Sequence, residues 1–307
     1  MKRTTATVTL ATAGLLALTA CGGSSDPLST SSATPTTSGS SAAGKDVVVG
    51  SADFSESVLL AEIYAGALRA KGVNASTKTN IGSREIYLKA LQDGSVQVLP
   101  EYTGALALYY DPNFTKTDAE EVYTTLQTLI PSDFALLAKS AAEDNDSINV
   151  SKETAQAKSL KTIEDLAPVA GTLALGAPPE FKTRAQGIPG LEKTYGVTFQ
   201  TFRPLKGQAL IQALKNGQID AANIFSTDPA IAANGFVTLE DTKRVFGSQN
   251  IVPLVRRDVA DQVRAPLDAV SGALTTEKLS SLLKLTDIDK KDPKAVAEQF
   301  LTENNLG

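Results

Sequence analysis

An α/β chain built as two similar lobes with a cleft between them is the fold this sequence predicts, on three observations. Helix and strand signals alternate from Asp46 to about Val255, the pattern of strand–helix–strand units. One helix–glycine–strand stretch recurs 123 residues further along the chain. With 42% hydrophobic and 21% charged residues over 307 positions, the composition is ordinary globular usage and long enough for one large or two ordinary domains.

In chain order, Met1–Ala20 carries Lys2 and Arg3 and then an uncharged stretch rich in Ala, Leu, Thr and Val. A short basic segment before a short apolar core is a secretory signal, too short for a comfortable membrane span. It ends Leu18-Thr19-Ala20-Cys21, which resembles the bacterial lipobox, where the cysteine is lipidated and becomes the first mature residue. Loss of Lys2 and Arg3 takes the net charge from −5 to −7. Of the 24 residues from Gly22 to Lys45, 21 are Ser, Thr, Gly, Ala or Pro, a composition that cannot bury enough apolar surface to offset its ordering entropy. Residues 21–45 are therefore expected to be a lipidated cysteine and a flexible tether, reaching roughly 25–30 Å.

From Asp46 the folded part begins. Val47-Val48-Val49 reads as a short buried strand. A helix follows over about Glu56–Lys71, with Ser55 as N-cap, Gly72 as the residue past its end, and Leu59, Ile63, Ala67 and Ala70 as its apolar face. Helices near Ser83–Asp93 and Asp118–Leu129 flank a strand at Val96–Leu99. After Ala265 the pattern is helical, over Leu267–Leu274, Thr276–Leu285 and Pro293–Leu301. The repeat joins Leu88-Lys89-Ala90-Leu91-Gln92-Asp93-Gly94, ahead of Pro100-Glu101-Tyr102-Thr103, to Ile211-Gln212-Ala213-Leu214-Lys215-Asn216-Gly217, ahead of Asn223-Ile224-Phe225-Ser226. Ligands of open α/β sheets bind outside the carboxyl ends of strands, so the repeat places Tyr102 and Phe225 at equivalent edges of two lobes.

Absences exclude much of the usual chemistry. The chain has no His, no Trp and one Cys, so an imidazole base, a His-ligated metal, a Ser-His-Asp triad and an internal disulfide are all impossible. A net charge of −5 argues against nucleic acid as a partner. No Gly-rich phosphate loop is present, and Asp144-Asn145-Asp146 and Asp287-Ile288-Asp289 lack the Gly and terminal Glu of a calcium loop. No cofactor or metal is expected.

Four motifs carry a resemblance. Gly50-Ser51-Ala52-Asp53-Phe54-Ser55-Glu56-Ser57, Gly82-Ser83-Arg84-Glu85, Pro100-Glu101-Tyr102-Thr103-Gly104 and the stretch from Asp220 to Asp228, in this order behind a lipobox and a tether, resemble the osmoprotectant (glycine betaine/choline) substrate-binding proteins of ABC importers. The likeness runs from about Asp46 to Leu301. It implies a type II, periplasmic-binding-protein-like flytrap whose chain crosses twice between lobes. Lobe one would be 46–148 plus 250–307 and lobe two 149–249. It also implies a membrane-anchored protein that closes over a quaternary amine such as glycine betaine, choline or carnitine and delivers it to a permease driven by an ATPase.

The family boxes the ammonium with aromatic rings, whose negative faces attract cations. Carried over by motif, Tyr102 and Phe225 are ring positions, Arg184 the partner of a ligand carboxylate, and Ser57 a hydroxyl donor near the start of the first helix. Arg84 and Glu85 open a helix, where their charges can cap, pair or reach the ligand. Where the family has an Asp-x-Tyr element this chain has Asp144 and Asp146. Gln249 or Asn250 replaces a further ring, and Ala105 stands where relatives offer a Thr hydroxyl. The reduced ring set leaves open a non-amine ligand, a polyol or small aromatic, in the same transport role. A surface sensor module is the other alternative. An enzyme on this fold would have to use Ser/Lys or paired carboxylates, and catalysis is not expected.

Overall fold

The computed structural model describes residues 44–307. The signal segment, Cys21 and nearly all of the tether lie outside the described residues. The elements in order are β1 (Val47–Gly50), α1 (Ser55–Ala70), β2 (Ala75–Lys78), α2 (Arg84–Gln92), β3 (Val98–Tyr102), α3 (Thr103–Tyr110), α4 (Ala119–Leu129) and β4 (Phe134–Leu136). The chain then passes to β5 (Asp146–Val150), α5 (Lys152–Lys158), β6 (Ala174–Ala177), α6 (Ile188–Tyr195), β7 (Thr201–Pro204), α7 (Gly207–Lys215), β8 (Ala221–Phe225), α8 (Ala230–Asn234) and β9 (Val237–Leu239). It returns through β10 (Ile251–Arg256) and ends in α9 (Ala260–Ala273), α10 (Thr276–Leu283) and α11 (Pro293–Glu303).

Two five-stranded sheets result, with orders β2-β1-β3-β10-β4 and β7-β6-β8-β5-β9. They are topological copies. In each, three strands run parallel, joined by helical crossovers as parallel neighbours require. In each, the fourth strand is antiparallel and directly follows a crossing from the other lobe: β10 beside β3, and β5 beside β8. The two-lobed α/β architecture expected from the sequence is the one observed.

The repeat is real in three dimensions. Gly94 and Gly217 both adopt left-handed backbone, with φ of +81° and +66°, ending α2 and α7 and turning the chain into β3 and β8. Tyr102 and Phe225 are the last residues of those strands. The register extends the symmetry: Ile251 pairs with Tyr102, and Asp146 pairs with Phe225. The Thr103 N–H donates to the Asn250 carbonyl at 3.0 Å, and the Ser226 N–H to the Asn145 carbonyl at 2.9 Å.

Strand β3 lies later than its expected Val96–Leu99 position and runs straight through Pro100. A proline inside a central strand normally ends it. Here Pro100 faces Pro253. Antiparallel pairs alternate between hydrogen-bonded and open, and the Thr103–Asn250 bond places the two prolines on an open pair, so neither strand needs the other's missing N–H. Helix α9 likewise begins at Ala260 and continues through Pro266 rather than starting after it.

Helix α1 is buried on more than the single face expected. Leu59, Leu60, Ile63, Tyr64 and Leu68 are each at most 1% exposed, because α9 and α11 cover the side turned away from the sheet, while Ala70 is exposed. Gly72, with φ +79°, donates to the Arg69 carbonyl at 3.0 Å and stops the helix. Among the described residues no helix is long and apolar enough to cross a membrane, and no cluster of side chains suits a metal ion.

Candidate functional site

A cleft of about 710 Å³ opens at the carboxyl ends of β3 and β8. One wall is aromatic. Phe54 stands 5.2 Å from Phe225 and 6.1 Å from Tyr102, ring centre to ring centre, each pair tilted by 34°. A cation bound to a ring face sits within about 6 Å of its centroid, so rings this close to one another leave no room for a cation between them. They form a single surface instead of a box. Phe54 reaches this position because it, and not Ser55, is the N-cap of α1, with extended backbone and no side-chain cap. The Ser55 hydroxyl donates instead to Asp287 at 2.7 Å.

Beneath the rings lie two buried carboxyls. Glu56, in the first turn of α1, is 3% exposed, and Asp144, from the crossing before β5, is 2% exposed. Tyr102 Oη donates to Glu56 Oε1 at 2.6 Å. Thr227 Oγ1, from the loop after β8, lies 2.6 Å from Glu56 Oε2 and 2.7 Å from Asp144 Oδ1. The Thr227 N–H also donates to Asp144 Oδ1 at 3.1 Å, and Asp144 Oδ2 has no partner. A hydroxyl has one proton to give. With two carboxyl oxygens at bonding distance, Thr227 Oγ1 cannot give a full hydrogen bond to both, and a proton kept on one acid would complete the contact. Burial pushes the Glu56 carboxyl above the usual range against the hydrogen bonds from Thr227 and Tyr102. Burial and then the neighbouring Glu56 charge push Asp144 well above it. Desolvation plus a like charge is the standard route to a retained carboxyl proton.

The cations lining the cleft are mostly spoken for. Arg84 grips Glu101 through Nε at 3.0 Å and Nη2 at 2.9 Å, a fully buried pair that Tyr87 Oη completes at 2.9 Å. Arg184 meets Glu85 on the opposite lobe at 3.3 and 3.4 Å. Partial burial alone would raise Glu85, but the Ser83 hydroxyl and Arg184 bring its carboxyl down to about 2. Lys206, ahead of α7, pairs with Asp53, after β1. Asp146 lines the cleft, accepts from Asn223 Nδ2 at 3.0 Å, and is raised by burial.

The structure gathers Tyr102, Phe225, Arg184, Asp144, Asp146, Gln249 and Ala105 around the cleft. It leaves two expected residues out. Ser57 does not line the cleft; its hydroxyl accepts from the Ala52 N–H at 2.9 Å and pins the loop before α1. Asn250 is buried behind the cleft, donating to Ser140 and accepting from Ser248. Gln249 has its amide engaged by the Ala105 N–H and the Phe246 carbonyl, both at 2.8 Å, and caps α3. Three residues escaped sequence reasoning: Phe54, Glu56 and Thr227. All three lie within the motifs that carry the family resemblance, and an aromatic residue directly before a helix, where a small polar cap is the norm, further marks Phe54.

Comparison with known proteins follows the same line. The family described as the substrate binding domain of ABC-type glycine betaine transport systems matches residues 45–303. The chain is similar to the glycine-betaine-binding protein of Pseudomonas aeruginosa, 25% identical over 273 residues covering 84% of this chain and 88% of that protein. It is also similar to the glycine betaine-binding protein YehZ of Escherichia coli, 28% identical over 278 residues covering 85% and 91%. In fold it resembles a crystal structure of a glycine betaine/carnitine/choline ABC transporter, with a TM-score of 0.68 and 24% identity over 85% of this chain and 99% of that one.

Proposed function

The chain belongs to the family of substrate-binding domains of ABC-type glycine betaine transport systems, and from that premise we propose that it captures a quaternary amine by closure of its cleft and hands it to an ABC permease with its ATPase. The observation that carries this reading is the union of an aromatic wall, Phe54, Tyr102 and Phe225, with the acidic floor of Glu56 and Asp144 beneath it. Ring faces and buried acids both favour a desolvated cation. Asp146 and Ala105 complete the lining, and Arg184 serves a ligand carboxylate only if it leaves Glu85.

The lobes move about the two crossings. Because β5 pairs wholly within the second sheet, the first boundary falls before Asp146: lobe one is about 46–145 plus 250–307, lobe two about 146–249. Lipidation of Cys21 would hold this body on the extracytoplasmic face of a membrane through the tether. The ligand leaves chemically unchanged, since the reading includes no turnover.

Calorimetric titration of the purified protein with glycine betaine, choline and carnitine, alongside polyols and small phenolics, tests the reading. Saturable binding of an amine, weakened roughly tenfold or more by Tyr102→Ala, is the expected result. Binding only of a polyol or phenolic would keep the transport role and overturn the ligand class.

A further inference from the structure

Glu56 and Asp144 are two buried acids without a cation. None of the ion pairs of the described residues includes either of them. The groups that act on them most strongly are acids, Tyr64 on α1, Tyr102 at the end of β3 and Asp228 in the loop after β8, with Asp287 acting on Asp228 from beyond α10. Asp146, Arg84, Arg184, Lys206, Lys290 and Lys291 share the cleft lining without pairing with either. One hydroxyl, Thr227 Oγ1, stands at 2.6 and 2.7 Å from an oxygen of each carboxyl. Asp144 Oδ2 is buried and unpartnered, on a residue that lines the cleft. The arrangement suits one shared proton in the place of a positive charge.

Resting on the function proposed above, we propose that this cleft is a cation-exchange site, in which the fixed positive charge of the ligand replaces the proton shared by Glu56 and Asp144. The balance is one cation in and one proton out to solvent, so the net charge of the closed cleft is unchanged. A positive charge brought within about 4–6 Å of a carboxyl lowers its pKa by roughly 1–3 units, which turns a retained proton into a released one. Neither the rings nor the paired arginines release a proton on binding. Asp146 and Asp228, also in the lining and raised by burial, could release one as well, so the variants below assign the signature to the acid pair.

The same inference ranks ligands. Arg84 and Arg184 already hold Glu101 and Glu85, so a ligand carboxylate meets them only by competing with those acids, and otherwise turns to Lys290 or Lys291 in the cleft lining. A cation without one, such as choline, needs only the proton exchange and is the probe of choice.

The test is calorimetry of choline binding to the full protein in two buffers at one pH, phosphate and Tris, whose ionisation enthalpies differ. The proposal expects close to one proton released per choline bound. It also expects affinity to rise about tenfold per pH unit for as long as the free pair stays protonated. Asp144→Asn and Glu56→Gln, each keeping the shape of the side chain, should bind choline with little proton release and a flat pH profile. If both variants fail to fold, the buffer comparison is made on the wild type and on Asp146→Asn and Asp228→Asn: release retained in both supports the exchange, and release lost in either overturns its assignment to the pair. Saturable choline binding with equal enthalpies in both buffers overturns the exchange and leaves the osmoprotectant reading standing. Absence of binding by choline, glycine betaine and carnitine alike overturns both.

Discussion

At the scale of single residues, the floor of the cleft has a pH dependence of its own. Glu56 and Asp144 are raised by folding above their ordinary range. The native state therefore holds a proton that the unfolded chain has released above about pH 4. Any stability the protonated pair contributes is complete below that point and is lost as pH rises toward the folded value. Asp144→Asn removes the dependence. Its melting temperature should gain on the wild type as pH rises above about 5, by up to ~1.4 kcal/mol of stability per pH unit. Parallel melting curves from acid to neutral pH would show that no proton is held. The ring positions Tyr102 and Phe225 were legible because a helix, a left-handed glycine and a strand recur in sequence around them. Glu56 was not. An acid in the first turn of a helix is the commonest of favourable surface placements, and nothing in local sequence says that a threonine far along the chain will cover it.

At the scale of elements, the strand–helix joint after β3 depends on close approach. A Cβ on Gly104 would lie 2.5 Å from the Ser248 carbonyl oxygen and 3.2 Å from Gln249 Nε2. Because the obstacle is backbone, Gly104→Ala must push α3 away from the segment entering β10 and strip the Gln249 cap from the Ala105 N–H. A loss of about 1–3 kcal/mol, read as a lower denaturant midpoint with unchanged slope, is the expected outcome. Unaltered stability would mean that the joint is looser than its contacts imply. The helices and the order of strands and helices could be read from glycines, caps and apolar periodicity. Strand ends could not, because Pro100 is tolerated only by its open register against β10, a strand supplied from the far side of the second lobe.

At the scale of the molecule, two ion pairs tie the lobes across the cleft mouth, Arg184–Glu85 and Lys206–Asp53. Both are partly exposed to solvent, so each is worth at most about 1 kcal/mol and is screened by salt. Glu85→Gln should therefore shift the ligand-free protein toward open forms by up to about fivefold, visible as a larger radius of gyration by small-angle scattering. Raised ionic strength should act in the same direction on the wild type and less on the variant, which keeps only Lys206–Asp53. An unchanged radius in both would assign the closed form to the ring and Thr227 contacts alone. The shared plan of the two sheets has a further consequence, for the order in which the protein is made. The second sheet takes its strands from an unbroken stretch, Asp146 to Leu239, and can close as soon as that stretch is available. The first waits for Ile251–Arg256, and until then β3 carries a bare edge of the kind that recruits foreign strands. Assembly thus runs against the direction of synthesis: the half whose strands begin first is finished last, and whatever shepherds the emerging polypeptide must shield Val98–Tyr102 in the meantime.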